Sequence, residues 1–199
     1  MEYEKIEKEV KEILSEERFQ HSVGVAKKAE KLANKYGENP YIAKIIGITH
    51  DIAKEMSEEE YLKYVKNNNI AIDDIEKNNL KLLHAKVGAD ICKKRFGFDK
   101  KMQDAIKYHT TGNVKMDNMA KIIYLADKIE DGRSYEGLET AKEKANKSLD
   151  DGMLYLLSRG IKRSLDKNKL IHKDSVDLYN KLIILSIGCV NGVNGDVLF

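Results

Sequence analysis

Four of the five histidines in this 199-residue chain stand where an apolar side chain belongs, each in a different helical pattern. The stretch "GITHDIAKEM" places His50 and Asp51 side by side among Ile42, Ile45, Ile46, Ile48 and Ile52. In "LKLLHAKVGADI", His84 lines up with Leu80, Val87, Gly88 and Ile91. His109 in "DAIKYHTTG" follows Ala105 and Ile106 by one turn, and His21 in "RFQHSVGVA" precedes Gly24 and Val25 by one turn. Asp127 in "KIIYLADKIED" comes one turn after Ile123, so it too flanks an apolar stripe. Ionisable groups are costly to bury unless they are paired or bound to a cation. A lone histidine on an apolar face is usually a satisfied core residue. One shared metal centre, however, accounts for all six residues together, and imidazole plus carboxylate donors suit Fe, Mn, Co, Ni or Zn.

Around these six stand groups able to hold an anion. At 100° per residue, a helix over 41–54 puts Gly47 and Lys54 between His50 and Asp51 in projection. Lys54 is therefore a candidate phosphate contact, and the missing side chain at Gly47 implies that something approaches the backbone closely. Thr110, Thr111 and Gly112 follow His109 directly. Their hydroxyls and N–H groups suit phosphate oxygens, although a plain helix end reads the same way. Arg133, after Gly132, offers a planar fork for phosphate, as Arg18 does more weakly.

The elements that must position these side chains read as helices with short breaks. The pattern predicts helices over 3–16, 18–36, 41–54, 80–96, 99–109, 117–131, 136–147 and 151–167, and a last one from 174. Gly37 ends the second and Pro40 restarts the third, while Ser57 with Glu60 forms a capping box for another. The segment "NNNIAIDDIEKNN" reads as a connection. One proline, no tryptophan and long Lys/Glu/Leu/Ile/Ala stretches predict an all-α single domain. The core domain is expected to span 1–181. Residues 182–199 would form the end of the last helix and a tail, "GCVNGVNGDVLF", of unknown role.

Net charge is +2 with both signs interleaved, which leaves no basic stripe for nucleic acid. The longest apolar run, around "LIILSIGCV", is well below the roughly 20 residues that cross a bilayer. The charged N-terminal stretch is no signal peptide, and Cys92 and Cys189 lack zinc-type spacing. A cytoplasmic protein with buried or idle thiols is expected, with a homodimer as one candidate assembly.

The order His21, His50-Asp51, His84, His109, Asp127 resembles the HD-domain superfamily of metal-dependent phosphohydrolases, in the branch with two extra histidines. The words "RFQHSVGVA", "HDIAK", "LLHAKVGA", "IKYHTTG" and "IIYLADKIEDGRSYEGLE" are similar to the bacterial YqeK family, the symmetrical bis(5'-nucleosyl)-tetraphosphatases. That resemblance implies an HD-domain helical bundle and two divalent ions, iron being the metal it suggests. One ion would take His21, His50, Asp51 and Asp127, and the other His84 and His109, with Asp51 bridging. It further implies hydrolysis of diadenosine tetraphosphate to two ADP. Asp51 and Lys54 would serve catalysis, and Gly24, Ile171, His172 and Tyr179 would join the phosphate-facing residues and metal ligands in contacting substrate. Near the end the family has a proline that "KLIHKDSVDLYN" lacks. Alternatives are an HD phosphohydrolase for nucleoside mono- or triphosphates, and an HD module that senses a nucleotide without turnover.

Overall fold

The computed structural model describes the backbone of residues 2–190 as eleven α-helices and one 3-10 turn, with no strand among them. The helices are α1 (Tyr3–Ile13), α2 (Glu16–Tyr36), α3 (Pro40–Thr49), α4 (Glu58–Asn67), α5 (Asp74–Asn78), α6 (Leu83–Phe96), α7 (Lys100–Tyr108), α8 (Asn118–Ile129), α9 (Leu138–Lys147), α10 (Leu149–Asp166) and α11 (Lys173–Val190). The all-α expectation agrees with this. No helix among the described residues is long and apolar enough to cross a membrane. The tail 191–199 and the side chain of Cys189 lie outside the described residues. Helix α11 runs unbroken past residue 181, and its Leu182 is buried in the main core.

Helix α2 is the central rod, packed along α3 and α8, while α7 bridges α6 and α8. Asn39 caps α3 through the N–H groups of Tyr41 and Ile42, with Pro40 in the first turn where its missing N–H costs nothing. Ile45, Ile46 and Ile48 are fully buried, each worth about 1.5–3 kcal/mol relative to exposure. Gly47 sets the spacing of this contact, because a Cβ there would lie 2.7 Å from the Cα of Ala26. What approaches Gly47 is thus the backbone of α2, not a ligand.

The predicted helix over 41–54 instead ends at Thr49, and His50 and Asp51 occupy the turns that follow. The Thr49 hydroxyl donates to the carbonyls of Ile45 and Ile46, and the next N–H groups bond three residues back, Ile52 to Thr49 and Lys54 to Asp51. A hydroxyl that takes up its own helix's carbonyls weakens continuation, so the chain tightens and stops. The connection after α4 is more ordered than its composition suggests. Asp73 and Glu76 form a capping box on the short α5, and the 3-10 turn Leu80–Leu82 leads into α6.

Candidate metal centre

Five elements deliver the six predicted donors to one place. His21 comes from α2, His50 and Asp51 from the turn after α3, His84 from the start of α6, His109 from the end of α7, and Asp127 from α8. Asp51 sits between two groups. Its Oδ2 lies 3.5 Å from His50 Nε2 and 4.0 Å from His21 Nε2, while Asp127 Oδ1 is 3.1 Å from His21 Nε2 and 3.7 Å from His50 Nε2. Its Oδ1 faces the other way, 3.3 Å from His84 Nε2 and 3.4 Å from His109 Nε2. One carboxylate thus divides its two oxygens between two imidazole pairs.

Every ring is held from behind. His50 Nδ1 donates to Gly47 O at 2.8 Å, His84 Nδ1 to Lys81 O at 2.5 Å, and His109 Nδ1 to Ile106 O at 2.6 Å. A carbonyl only accepts, so Nδ1 carries a proton, and each ring in its neutral form turns a bare Nε2 lone pair inward. His21 is held differently, its Nδ1 lying 3.3 Å from Glu130 Oε1. This arrangement, a donated N–H behind and a free nitrogen in front, is the one that metal-ligating histidines adopt.

The electrostatics favour the neutral form at His84 and His109. Burial, with His109 and Lys54 nearby, pushes His84 down to about 3, and burial likewise lowers His109, so both are neutral near pH 7. Burial opposes charge on His50, but Asp51 and Asp127 together raise it. Despite burial, neighbouring histidines hold Asp51, and Lys128 with His21 and His50 hold Asp127, well below the usual carboxylate range. His50 Nε2 and Asp51 Oδ1 are buried with no hydrogen-bond partner among the described residues. His84 and His109 bring their Nε2 atoms within 3.1 Å of each other beside a carboxylate oxygen. Lone pairs converging so closely form a site that can hold cations, and the donor set fits divalent transition metals. HD domains bind such ions.

Cationic and hydroxyl groups rim the cluster. Arg18 Nη1 lies 3.2 Å from Asp51 Oδ2, Lys54 Nζ 3.0 Å from His84 Nε2, and Arg133 Nη2 2.6 Å from Asp127 Oδ1. Thr110 Oγ1 stands 3.1 Å from both His84 Nε2 and His109 Nε2. Thr111, Ile171 and His172 line a neighbouring cavity of about 520 Å³. His172 also pairs with Asp73 at 3.0 Å.

Three predicted substrate contacts have other work. The N–H of Gly112 closes α7 on Tyr108 O, and its φ of +72° and the Leu178 side chain, 2.7 Å from a would-be Cβ, explain the glycine. Gly24 makes room for Glu130, whose Oε2 would be 2.5 Å from a Cβ there. Tyr179 packs against the main core and is not part of the cavity wall.

Glu130 and Lys128 are absent from the sequence-based candidates. Glu130 is buried, supports His21 and accepts from Gly132 N at 2.5 Å. Its signal was its place three residues after Asp127, one turn along the same helix face. Lys128 donates to His109 O at 2.8 Å and contacts Asp127 Oδ2 at 3.2 Å. Nothing in "ADKIED" separates it from an ordinary solvated lysine.

A helical bundle whose adjacent His-Asp pair joins donors from four other helices defines a class: the chain belongs to the HD-domain family, whose model matches residues 18–132. Within that family it sits among the symmetrical bis(5'-nucleosyl)-tetraphosphatases. It is 35% identical to the protein of that name from Halalkalibacterium halodurans, over 88% of this chain and 94% of the relative. The Bacillus subtilis protein of the same name is 32% identical, over 87% of this chain and 94% of its own length. In structure the chain is similar to a predicted HD superfamily hydrolase involved in NAD metabolism from Clostridium acetobutylicum. The TM-score is 0.89 at 34% identity, covering 93% of this chain and 98% of that one.

Proposed function

We propose that the chain hydrolyses diadenosine tetraphosphate symmetrically, to two ADP, at two divalent metal ions held by His21, His50, Asp51, His84, His109 and Asp127. The observation that carries this reading is the division of the Asp51 oxygens between two imidazole pairs. It occurs in a chain that aligns along nearly its whole length with relatives bearing that activity's name. By the family resemblance the ions are iron.

When bound, such ions lower the pKa of a water molecule and offset charge on phosphoryl oxygens. The protein's own groups do the rest. The carbonyls of Gly47, Lys81 and Ile106 and the Glu130 carboxylate keep all four imidazoles aimed inward. Arg18, Lys54 and Arg133 sit against the carboxylates and supply positive charge where a tetraphosphate must lie. The Thr110 hydroxyl, beside both His84 and His109, orients a phosphate oxygen. Ile171 and His172, on the adjoining cavity wall, contact a nucleoside. The departing ADP phosphate is a stable anion and needs no dedicated acid.

The same reading puts the reaction in the cytoplasm, on a free nucleotide rather than on nucleic acid or a membrane, with a homodimer as the assembly to test by light scattering. Product analysis with metal-loaded protein decides the activity. ADP as sole nucleotide product is expected. AMP plus ATP would overturn symmetrical cleavage, and absence of turnover would favour a sensing module.

A further inference from the structure

Two concavities flank the metal centre, and they meet it on opposite sides. The 520 Å³ cavity reaches the His84/His109 half through Thr110, and a groove of about 700 Å³ reaches the His21/His50 half through Asp127 and Arg133. Both are walled by Lys128, Leu156 and Gly160, so they are two arms of one trough. The proposed function above places a nucleoside only in the first arm.

The second arm is cationic. Lys128, Arg133, Arg159, Lys162, Arg163 and Lys167 face three acids, Asp127, Glu136 and Asp166. Lys162, Arg163 and Lys167 are exposed and form no salt bridge with a described residue. Leu156, Arg159, Gly160 and Arg163 along α10 and Lys167 at its C-cap follow three- and four-residue spacing, a stripe running about 16 Å at 1.5 Å per residue. Tyr135, with the Arg159 guanidinium 5.8 Å from its ring centroid, gives the arm an aromatic wall.

Gly160 is the independent clue. It sits inside a long helix, where glycine is unfavourable, yet nothing lies within 4 Å of a Cβ built there. Gly47 and Gly152 have backbone neighbours that require them; Gly160, like Gly188 in α11, has none, and of these two only Gly160 lines both concavities. It lines both arms, so a ligand passing between them alongside α10 would meet bare helix backbone there.

We infer that the basic groove along α10 is a second nucleotide subsite, holding one ADP half of a dinucleoside tetraphosphate while the 520 Å³ cavity holds the other, with the polyphosphate crossing at Gly160 and Lys128. This inference rests on the proposed activity for its substrate, and it explains how a cut at the midpoint is enforced: a nucleoside docked in each arm centres the chain of phosphates over the metal pair.

Two variants test it, Gly160→Leu and the double change Arg163→Ala/Lys167→Ala. Leucine is a better helix former than glycine and has clear space, so Tm should hold or rise. The KM for diadenosine tetraphosphate should nonetheless increase about tenfold or more in each variant, as expected when a charge-assisted phosphate contact or the crossing is lost. Calorimetric titration of the metal-loaded wild type with ADP should find two equivalents per chain, and the Arg163→Ala/Lys167→Ala variant one. Wild-type KM in both variants, or one ADP equivalent in the wild type, would overturn the second subsite. If the wild type releases no ADP from the dinucleotide, the proposed activity fails instead, and the ADP titration still decides the groove.

Discussion

The two halves of the candidate metal centre are built on different principles. On the His84/His109 side each ring is locked by the carbonyl three residues earlier, within its own helix or turn. Both are buried and neutral near pH 7. On the other side His50 follows the same local rule with Gly47, but His21 depends on Glu130, 109 residues away in sequence. Glu130 is in turn admitted only because Gly24 and Gly132 leave space for it. One half is prepared by helix geometry, and the other is assembled by docking α2 against the end of α8. A centre of this kind should fail at its assembled half first.

Asp51 belongs to both halves, so Asp51→Ala should remove the distinction altogether, stopping turnover and stripping both metals. Elemental analysis showing two equivalents still bound would contradict the bridging role. Glu130→Gln should act on the assembled half alone, lowering metal affinity or activity about 10–100-fold, the usual range when a partner behind a ligand is lost. A metal titration should show one weakened site and one unchanged, and equal weakening of both would erase the asymmetry. Thr110→Val probes the prepared half more gently. It should cost up to about tenfold in kcat/KM, the worth of one hydrogen bond, with metal content intact.

The smallest effect is on stability against pH in the metal-free protein. His84 is held near 3 when folded but titrates near 6.5 when unfolded, so the unfolded chain binds the extra proton first. Its contribution is fully present above about pH 6.5 and is lost as pH falls from there toward 3. Denaturant midpoints should drop over this window, and His84→Asn should flatten the drop. An unchanged slope in that variant would show that the ring is not held neutral.

Much of the centre was legible because helices impose local rules. Apolar periodicity located the helices, and donors placed against that periodicity marked themselves as costly to bury without a shared cation. The end of α3 was harder to read, because the hydroxyl of Thr49 turning back onto Ile45 and Ile46 leaves no mark in an apolar pattern. Gly47 reads as a place of close backbone approach, and in the folded chain the neighbour is Ala26; Gly24 and Gly112, expected to contact substrate, lie against Glu130 and Leu178.

What the sequence determined by itself was the all-α class, through helical periodicity, and the family, through motifs spread along the chain; it also named six candidate donors, each set against the apolar pattern of its own helix. Only tertiary structure decided which oxygen of Asp51 faces which imidazoles, that Glu130 stands behind His21, and that Gly160 lines both neighbouring concavities. Those facts depend on distances between helices far apart in sequence. Such distances are set by the packing of whole surfaces, and no single stretch of residues encodes them.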